Sequence, residues 1–264
     1  MAEVAALAKG MKGIDTSGVE VDDDQEEPTI AVGSSEEKEA LKQMQALLAD
    51  DLKALPEATQ LMCLRGRKYD PARGAETLQK LQALKLSLKW DDPTPQLAKD
   101  LASGKIVSTG SHDEKGRAVV WLRLRYHNPK ESQPEDMGRA IATVMLKACE
   151  NVDTQRNGIV LINDVTGIGL KNISPPAAKF VFGTVLPSLP IRVSRICLVR
   201  PPWFVTKVLF PIVSNFMSKK LKARILLCPE PEMLLEVLPK DRIPTELDGT
   251  FPFSMEEFAA RLQK

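Results

Sequence analysis

No apolar run in this sequence reaches the ~20 residues that a membrane-crossing helix requires. Aromatic residues make up only 5% of the 264 positions, too little material for the stacking platforms that hold single-stranded nucleic acids. Neither sign of charge dominates, with 36 Lys and Arg against 35 Asp and Glu, so any electrostatic steering has to come from local patches and a nucleic-acid partner is not expected. The four cysteines, Cys63, Cys149, Cys197 and Cys228, contain no CxxC pair, and the two histidines, His112 and His127, lack ligand spacing. Four reduced, partly buried thiols and no metal follow from this. The first residues, MAEVAALAKGMKG, lack both a basic start and a long apolar stretch, so no secretory signal is read and a cytoplasmic protein is expected.

Catalytic motifs are absent as well. No GxGxxG follows a strand, and there is no GxxxxGK[ST] loop and no GxSxG elbow. Asp164 follows the strand-like run GIVLIN, a place where α/β enzymes keep catalytic groups, but alone it reads as a turn or hydrogen-bonding residue. His112 sits in SHDEKG, which reads as a hairpin or loop, and His127 at the end of a strand, and neither has a visible nucleophile. A protein without cofactor or enzymatic activity is expected.

What is present is a change of texture along the chain. Residues 1–35 carry the acidic run EVDDDQEEP and read as a solvated tail. Residues 36–92 are helical in pattern. Leu41, Met44, Leu47 and Leu48 recur at helical spacing behind a Ser34/Glu37 capping-box signature, and Leu78, Leu81, Leu84 and Leu88 line a later helix. The breaker DDPTP marks a boundary, and residues 93–264 form a second domain. There, strand-like runs (116–129, 158–167, 192–199 and 223–228) alternate with helical ones (136–152, 174–190 and 254–264). The alternation predicts an α/β domain with a mostly parallel sheet.

One stretch fits no ordinary core helix: PPWFVTKVLFPIVSNFMSKKLKARI, residues 201–225. On a helical projection Val205, Val208, Leu209, Ile212, Val213 and Phe216 share a face. The opposite stripe holds Trp203, Phe210 and Met217, so both sides carry large apolar groups, each worth about 1.5–3 kcal/mol when buried. One face covers a core or cavity; the other needs a second partner, protein or lipid. Pro211 removes a backbone bond and favours a kink. The basic residues Lys219, Lys220, Lys222 and Arg224 follow at once, and each gains about 1 kcal/mol near an anionic leaflet. The two readings are a buried helix followed by a solvated basic turn, and a lipid gate that works at a membrane surface.

The order of DTQRNGIVLINDVTG, LPSLPIRVSRICLV, the apolar stretch, SKKLKARI and IPTELDGTF, preceded by CLRGRKYDPARGAETL, resembles the CRAL-TRIO lipid-transfer family in its alpha-tocopherol transfer protein branch. The resemblance spans roughly residues 50–253. It implies an α/β, mostly parallel sheet whose helices enclose a hydrophobic pocket under a mobile gate, here residues 203–216, behind a small all-helical N-terminal domain. It also implies phosphoinositide-contacting basic residues at Arg67, Arg192, Lys220, Lys222 and Arg224; the apolar character of the stretch itself makes Trp203 and Phe210 the groups expected to insert into the membrane. Ile191 stands where phosphatidylinositol-transferring relatives carry a glutamate, and Asp248-Gly249 stands for a closing Gly-Gly. Cavity-lining candidates are Trp121, Ile141, Met145, Ile162, Phe180, Phe182, Val185, Ile196, Val208, Ile212 and Phe216, with core packing an equal reading at each. The expected protein is a monomeric carrier of one hydrophobic lipid that reversibly binds anionic membranes. The alternative is a lipid-sensing regulatory module that acts through a protein partner.

Overall fold

The computed structural model describes residues 30–92 and 94–263, so nearly all of the expected acidic tail lies outside the described residues. Four helices come first: α1 (Ser35–Ala46), α2 (Asp50–Lys53), α3 (Glu57–Arg65) and α4 (Pro71–Ser87). Helix α5 (Pro95–Ala102) leads into strands β1 (Ile106–His112) and β2 (Ala118–Arg123). Then α6 (Pro134–Ala148), α7 (Val152–Asn157), β3 (Ile159–Asp164), α8 (Pro175–Phe180), β4 (Val193–Val199), α9 (Phe210–Ser214), α10 (Lys219–Ala223), β5 (Ile225–Cys228) and α11 (Met255–Gln263) complete the chain.

The five strands form one sheet in the order β1-β2-β3-β4-β5. β1 is antiparallel to β2, and every other neighbour is parallel. The mostly parallel sheet is therefore as expected. His112 lies in a hairpin, at the end of β1 opposite Ala118 of β2, and the mixed sequence IVSTGSH of β1 carries no clean alternation. The predicted strand 116–129 stops at Arg123 and turns through a short 3-10 helix, Leu124–Tyr126, before His127.

Laying parallel strands side by side in one direction, with the usual right-handed crossovers, carries every crossover to the same face of the sheet. Helices α6 and α8 and the segment between β4 and β5 accordingly share that face. The opposite face is closed by C-terminal segments: Trp121 meets Phe253 edge to face at 5.7 Å, and the Arg123 guanidinium lies 4.5 Å from the Trp121 ring.

The N-terminal helices share one apolar core with the sheet, running from Leu41 to Phe258. A buried polar link ties them down. Arg65 donates to both carboxylate oxygens of Glu37, at 2.7 and 3.0 Å, and to Gln155 Oε1 of α7 at 2.9 Å. Ser34 caps α1 by accepting the Glu37 N–H, as its spacing predicts, but the Glu37 carboxylate bonds Gly33 N–H and Arg65. That bond to Arg65 holds the Glu37 carboxyl below its ordinary pKa. Gly66, capping α3, meets the Pro190 backbone so closely that a Cβ there would lie 2.2 Å from the Pro190 carbonyl oxygen. Gly66→Ala is expected to force these layers apart and cost about 1–3 kcal/mol, read as a lower urea midpoint with an unchanged slope.

Candidate functional site

Two cavities lie side by side on the crossover face. The first, about 160 Å³, is lined almost wholly by apolar side chains. Its floor is one face of the sheet: Leu122, Leu161, Asn163, Ile196, Leu198 and Ile225. These residues fall in register, with Leu122 opposite Asn163, Asn163 opposite Leu198 and Ile196 opposite Ile225. Met137 and Ile141 of α6 form one wall, and Ala177, Ala178, Val181 and Phe182 of the α8 region another. The lid is the segment after β4, through Val205, Leu209, Phe210, Val213 and Met217.

Wall and lid are built alike. Helix α8 widens after Phe180 into a π turn, Val181–Val185, and the lid begins with a second one, Val205–Leu209. In each, a peptide N–H bonds five residues back, Leu186 to Val181 and Phe210 to Val205. Both turns run into a proline, Pro187 and Pro211. A proline ring clashes with the carbonyl four residues earlier, and a widened turn relieves that clash. The start of the lid belongs to a small apolar cluster of Val165, Leu198 and Val205, separate from the main core.

The second cavity, about 460 Å³, is basic. Arg67, Lys68, Arg73, Arg192, Lys220 and Arg224 line it, over a floor that includes Ile191, Leu186 and Phe216. Arg67 donates to Thr77 Oγ1 at 2.8 Å and to the Leu189 carbonyl at 3.0 Å, and Arg224 to the Val193 carbonyl at 2.8 Å. Arg192 donates to the Arg156 carbonyl. Burial, then the positive charge of Arg73, pulls the Arg67 guanidinium below its usual pKa, with Arg192 adding to the effect. Crowded cations of this kind favour an anion among them. Phe182 lines both cavities and forms the partition between them.

The sequence profile of the CRAL/TRIO domain matches residues 101–249. The chain belongs to the CRAL/TRIO domain family. It is 30% identical over 204 residues to human alpha-tocopherol transfer protein-like, covering 75% of this chain and 59% of that one. It is 26% identical over 190 residues to human tyrosine-protein phosphatase non-receptor type 9, covering 70% of this chain and 32% of that one. Clavesin-1 of Xenopus laevis is 27% identical over 203 residues, with 73% and 60% covered. The chain thus spans between about a third and three-fifths of these relatives. The crystal structure of Sfh5 shares the fold, with a TM-score of 0.54 at 11% identity over 87% of this chain and 92% of that one.

Of the candidate lining residues, Ile141, Phe182, Ile196 and Ile212 lie on the apolar cavity. Trp121 and Ile162 do not; they pair with each other across β2 and β3 and sit in the core on the opposite sheet face. Side chains alternate along a strand, so the floor takes Leu122 and Leu161 instead. Met145 and Val185 are core residues, and Phe180 and Val185 close over Gly138 of α6, where a Cβ would lie 2.6 Å from the Phe180 ring. Val208 is half exposed, and Phe216 faces the basic cleft. Phe210, expected outside, is buried against the cavity, whereas Trp203 is 70% exposed. The lid corrections share one cause. Val205, Leu209, Ile212 and Val213 of the projected face do line the cavity, and with the π turn in the segment Phe210 and Met217 join them while Val208 and Phe216 turn away.

Arg67, Arg192, Lys220 and Arg224 converge on one cleft, but Lys222 is not among its residues. Lys220 and Arg224 are four apart and share a face of α10, while Lys222 lies between them on another. Ile191 stands in the cleft floor. Asp248 takes the left-handed conformation, φ +62°, that the turn requires, and accepts a bond from Arg200 at 2.8 Å. Asp164 is buried, accepting from Arg125 at 2.6 Å and from the Thr166 N–H at 2.9 Å, a structural role. The four cysteines are free and buried, and among the described residues no cluster could hold a metal and no helix is long and apolar enough to cross a membrane.

His127 and Asn163, polar lining residues, were missed. Their position, one each at the ends of two adjacent apolar strands, is the signal that was available. Burial, then the positive charge of Lys105, pushes the His127 pKa down to about 4, with the Asp100 carboxylate opposing. The folded state therefore resists a proton that the unfolded chain accepts near pH 6.5. Stability from this residue is full above pH 6.5 and falls as pH drops toward 4, by on the order of 3 kcal/mol. Denaturant melts across this range should show a His127→Leu variant losing that part of the slope.

Proposed function

We propose that this protein is a non-enzymatic carrier that binds one hydrophobic lipid and exchanges it at anionic, phosphoinositide-containing membranes. The observation that carries this reading is an apolar cavity lidded by a proline-weakened segment directly beside a cluster of cations, with Phe182 in the wall of both. The membership of the CRAL/TRIO family and the name of the alpha-tocopherol transfer protein-like relative support it. At about 160 Å³ the closed cavity is below the ~300–1,000 Å³ that ligand pockets occupy, so loading requires the lid to move. The lid is held by the small cluster of Val165, Leu198 and Val205, and its weak point is the π turn before Pro211.

On the outer side of the site, Trp203, Val208, Ile212 and Leu170 are exposed large apolar residues, all on the lid or the loop that lines the cavity. They are suited to insertion into a bilayer while Arg67, Arg192, Lys220 and Arg224 meet its anionic headgroups. In this reading the protein works as a cytoplasmic monomer, reversibly bound to membranes, with residues 36–92 as a helical domain beside the pocket. A second reading is favoured by the tyrosine phosphatase relative, in which the matched stretch is a third of a longer protein: a lipid-sensing module that acts through a protein partner. Deleting residues 1–35 separates the two, since a carrier keeps transferring lipid and a sensor that uses the acidic stretch loses its partner.

Native mass spectrometry of the purified protein, with organic extraction of what accompanies it, tests the carrier. One stoichiometric lipid is the expected result. A protein that is empty and takes up no lipid from vesicles overturns the reading. Lys220→Glu is expected to weaken binding to phosphoinositide vesicles at least about tenfold at low salt. Lys222→Glu, off the cleft, should do so much less, and flotation assays compare the two. Phe210→Ala, which opens the lid contact, should speed ligand release in a vesicle-transfer assay and lower stability by about 3 kcal/mol.

A further inference from the structure

The basic cleft is one-sided in charge. Arg67, Lys68, Arg73, Arg192, Lys220 and Arg224 are the charged groups among the described residues that line it, and none of those residues is Asp or Glu. Like charges gathered on one concave surface raise its potential and draw anions to it. A membrane supplies such anions only where the protein meets one, yet the cleft is equally basic away from any bilayer.

The chain itself carries a matching anion. Residues 20–27, EVDDDQEE, hold six carboxylates in eight positions, and no Lys or Arg occurs between Lys12 and Lys38. The run ends three positions before Ile30, where the described residues begin. That starting point is fixed beside the cleft. The Ile30 carbonyl accepts from Arg156 Nη2 at 3.1 Å and from Tyr69 Oη at 3.5 Å. Tyr69 directly follows Lys68 of the cleft, and the Arg156 carbonyl accepts from Arg192, another cleft residue. The Gly33 N–H, bonded to the Glu37 carboxylate at 2.7 Å, pins the chain just beyond.

Reach and charge decide what this juxtaposition permits. An extended chain spans at most about 3.3–3.6 Å per residue, so Glu27 stays within about 10 Å of Ile30 and Asp22 within about 28 Å. A tether this short gives an effective concentration in the millimolar range. At that concentration, ion pairs too weak to hold a separate peptide suffice when several form together. Carboxylates also suit the guanidinium forks of Arg67, Arg73, Arg192 and Arg224, which bind them through paired hydrogen bonds.

We propose that, away from membranes, residues 20–27 of this same chain occupy the basic cleft, and that polyanionic headgroups displace them. The displacement rests on the membrane-docking part of the carrier reading; the intramolecular contact does not. A phosphate monoester carries about −1.5 to −2 charges where a carboxylate carries one, so a surface dense in such groups outcompetes the run. Weakly anionic surfaces do not. The run therefore sets a charge threshold for docking, and the carrier stays masked until it meets a surface above that threshold.

Zero-length carbodiimide coupling of the full, unaltered chain without lipid, followed by tryptic digestion and tandem mass spectrometry, reads the contact directly. The expected result is amide links within the monomer from carboxylates of residues 20–27 to Lys68 or Lys220. These links should vanish in about 0.5 M NaCl, which screens the pairs, and in excess inositol trisphosphate. The second measurement is flotation with phosphatidylcholine vesicles containing phosphatidylinositol bisphosphate. It compares the unaltered chain with one carrying Asp22→Asn, Asp23→Asn, Asp24→Asn, Glu26→Gln and Glu27→Gln together. The neutralised chain is expected to bind about tenfold more tightly, as follows if the run fills the cleft in about nine-tenths of molecules. Absence of links from the run to either lysine overturns the contact, even if the neutralised chain binds vesicles better, because relief of repulsion from the bilayer explains that gain. Links that join two chains assign the run to a second copy and overturn the intramolecular contact. Links within the monomer with unchanged vesicle affinity overturn the masking. If neither chain binds the vesicles, the membrane reading falls, and the links alone decide the contact.

Discussion

An apolar sheet face has to be covered, and here its cover is held away from it. Leu122, Leu161, Ile196 and Leu198 present a mostly hydrophobic floor, interrupted by Asn163, which in a simple α/β domain would be packed directly by helices. Helices α6 and α8 and the lid do cover it, but α8 and the lid each carry a π turn ahead of a proline. A widened helix projects its side chains at irregular spacing, so the cover bridges the floor without filling it. The gap that results is the cavity, and the lid, the exposed apolar rim and the neighbouring cleft are arranged around it.

The second cavity uses the opposite physics. Arg67, Arg73, Arg192, Lys220 and Arg224 come from the helical N-terminal layer, from the approach to β4 and from α10, segments far apart in the chain. Burial first, and then the neighbouring positive charges of Arg73 and Arg192, lower the pKa of Arg67. The close approach of Gly66 to Pro190 and the buried Glu37–Arg65–Gln155 link fix the N-terminal layer against the sheet domain. Among the described residues, Phe182 is the one that lines both cavities.

The alternation of strand and helix patterns located β2, β3, β4 and β5 and the helices between them, because each is long enough for its period to be read. β1 escaped because IVSTGSH mixes small polar residues into a strand that pairs along one edge only. The lid was legible as an oddity, apolar on both sides and next to cations, and its inner face was legible in part, since Val205, Leu209, Ile212 and Val213 do line the cavity. A π turn breaks the period on which the projection depends, which moved Phe210 inward and Val208 and Phe216 away from the cavity. Likewise Trp121 and Ile162 are the right kind of residue on the wrong side of the strand. Both faces of a buried sheet are apolar, so composition cannot distinguish cavity from core.

The amino-acid order by itself determined the mostly parallel α/β class, the absence of catalytic motifs, the apolar lid and the basic run beside it, because these follow from local pattern and from spacing within one element. Tertiary structure alone decided which sheet face borders a void, which cations meet, and that His127 and Asn163 stand without partners in an apolar cavity. Those properties depend on the parity of side chains across strands and on residues far apart in the chain lining one cleft, as Arg67 and Arg224 do. No local period encodes such distances.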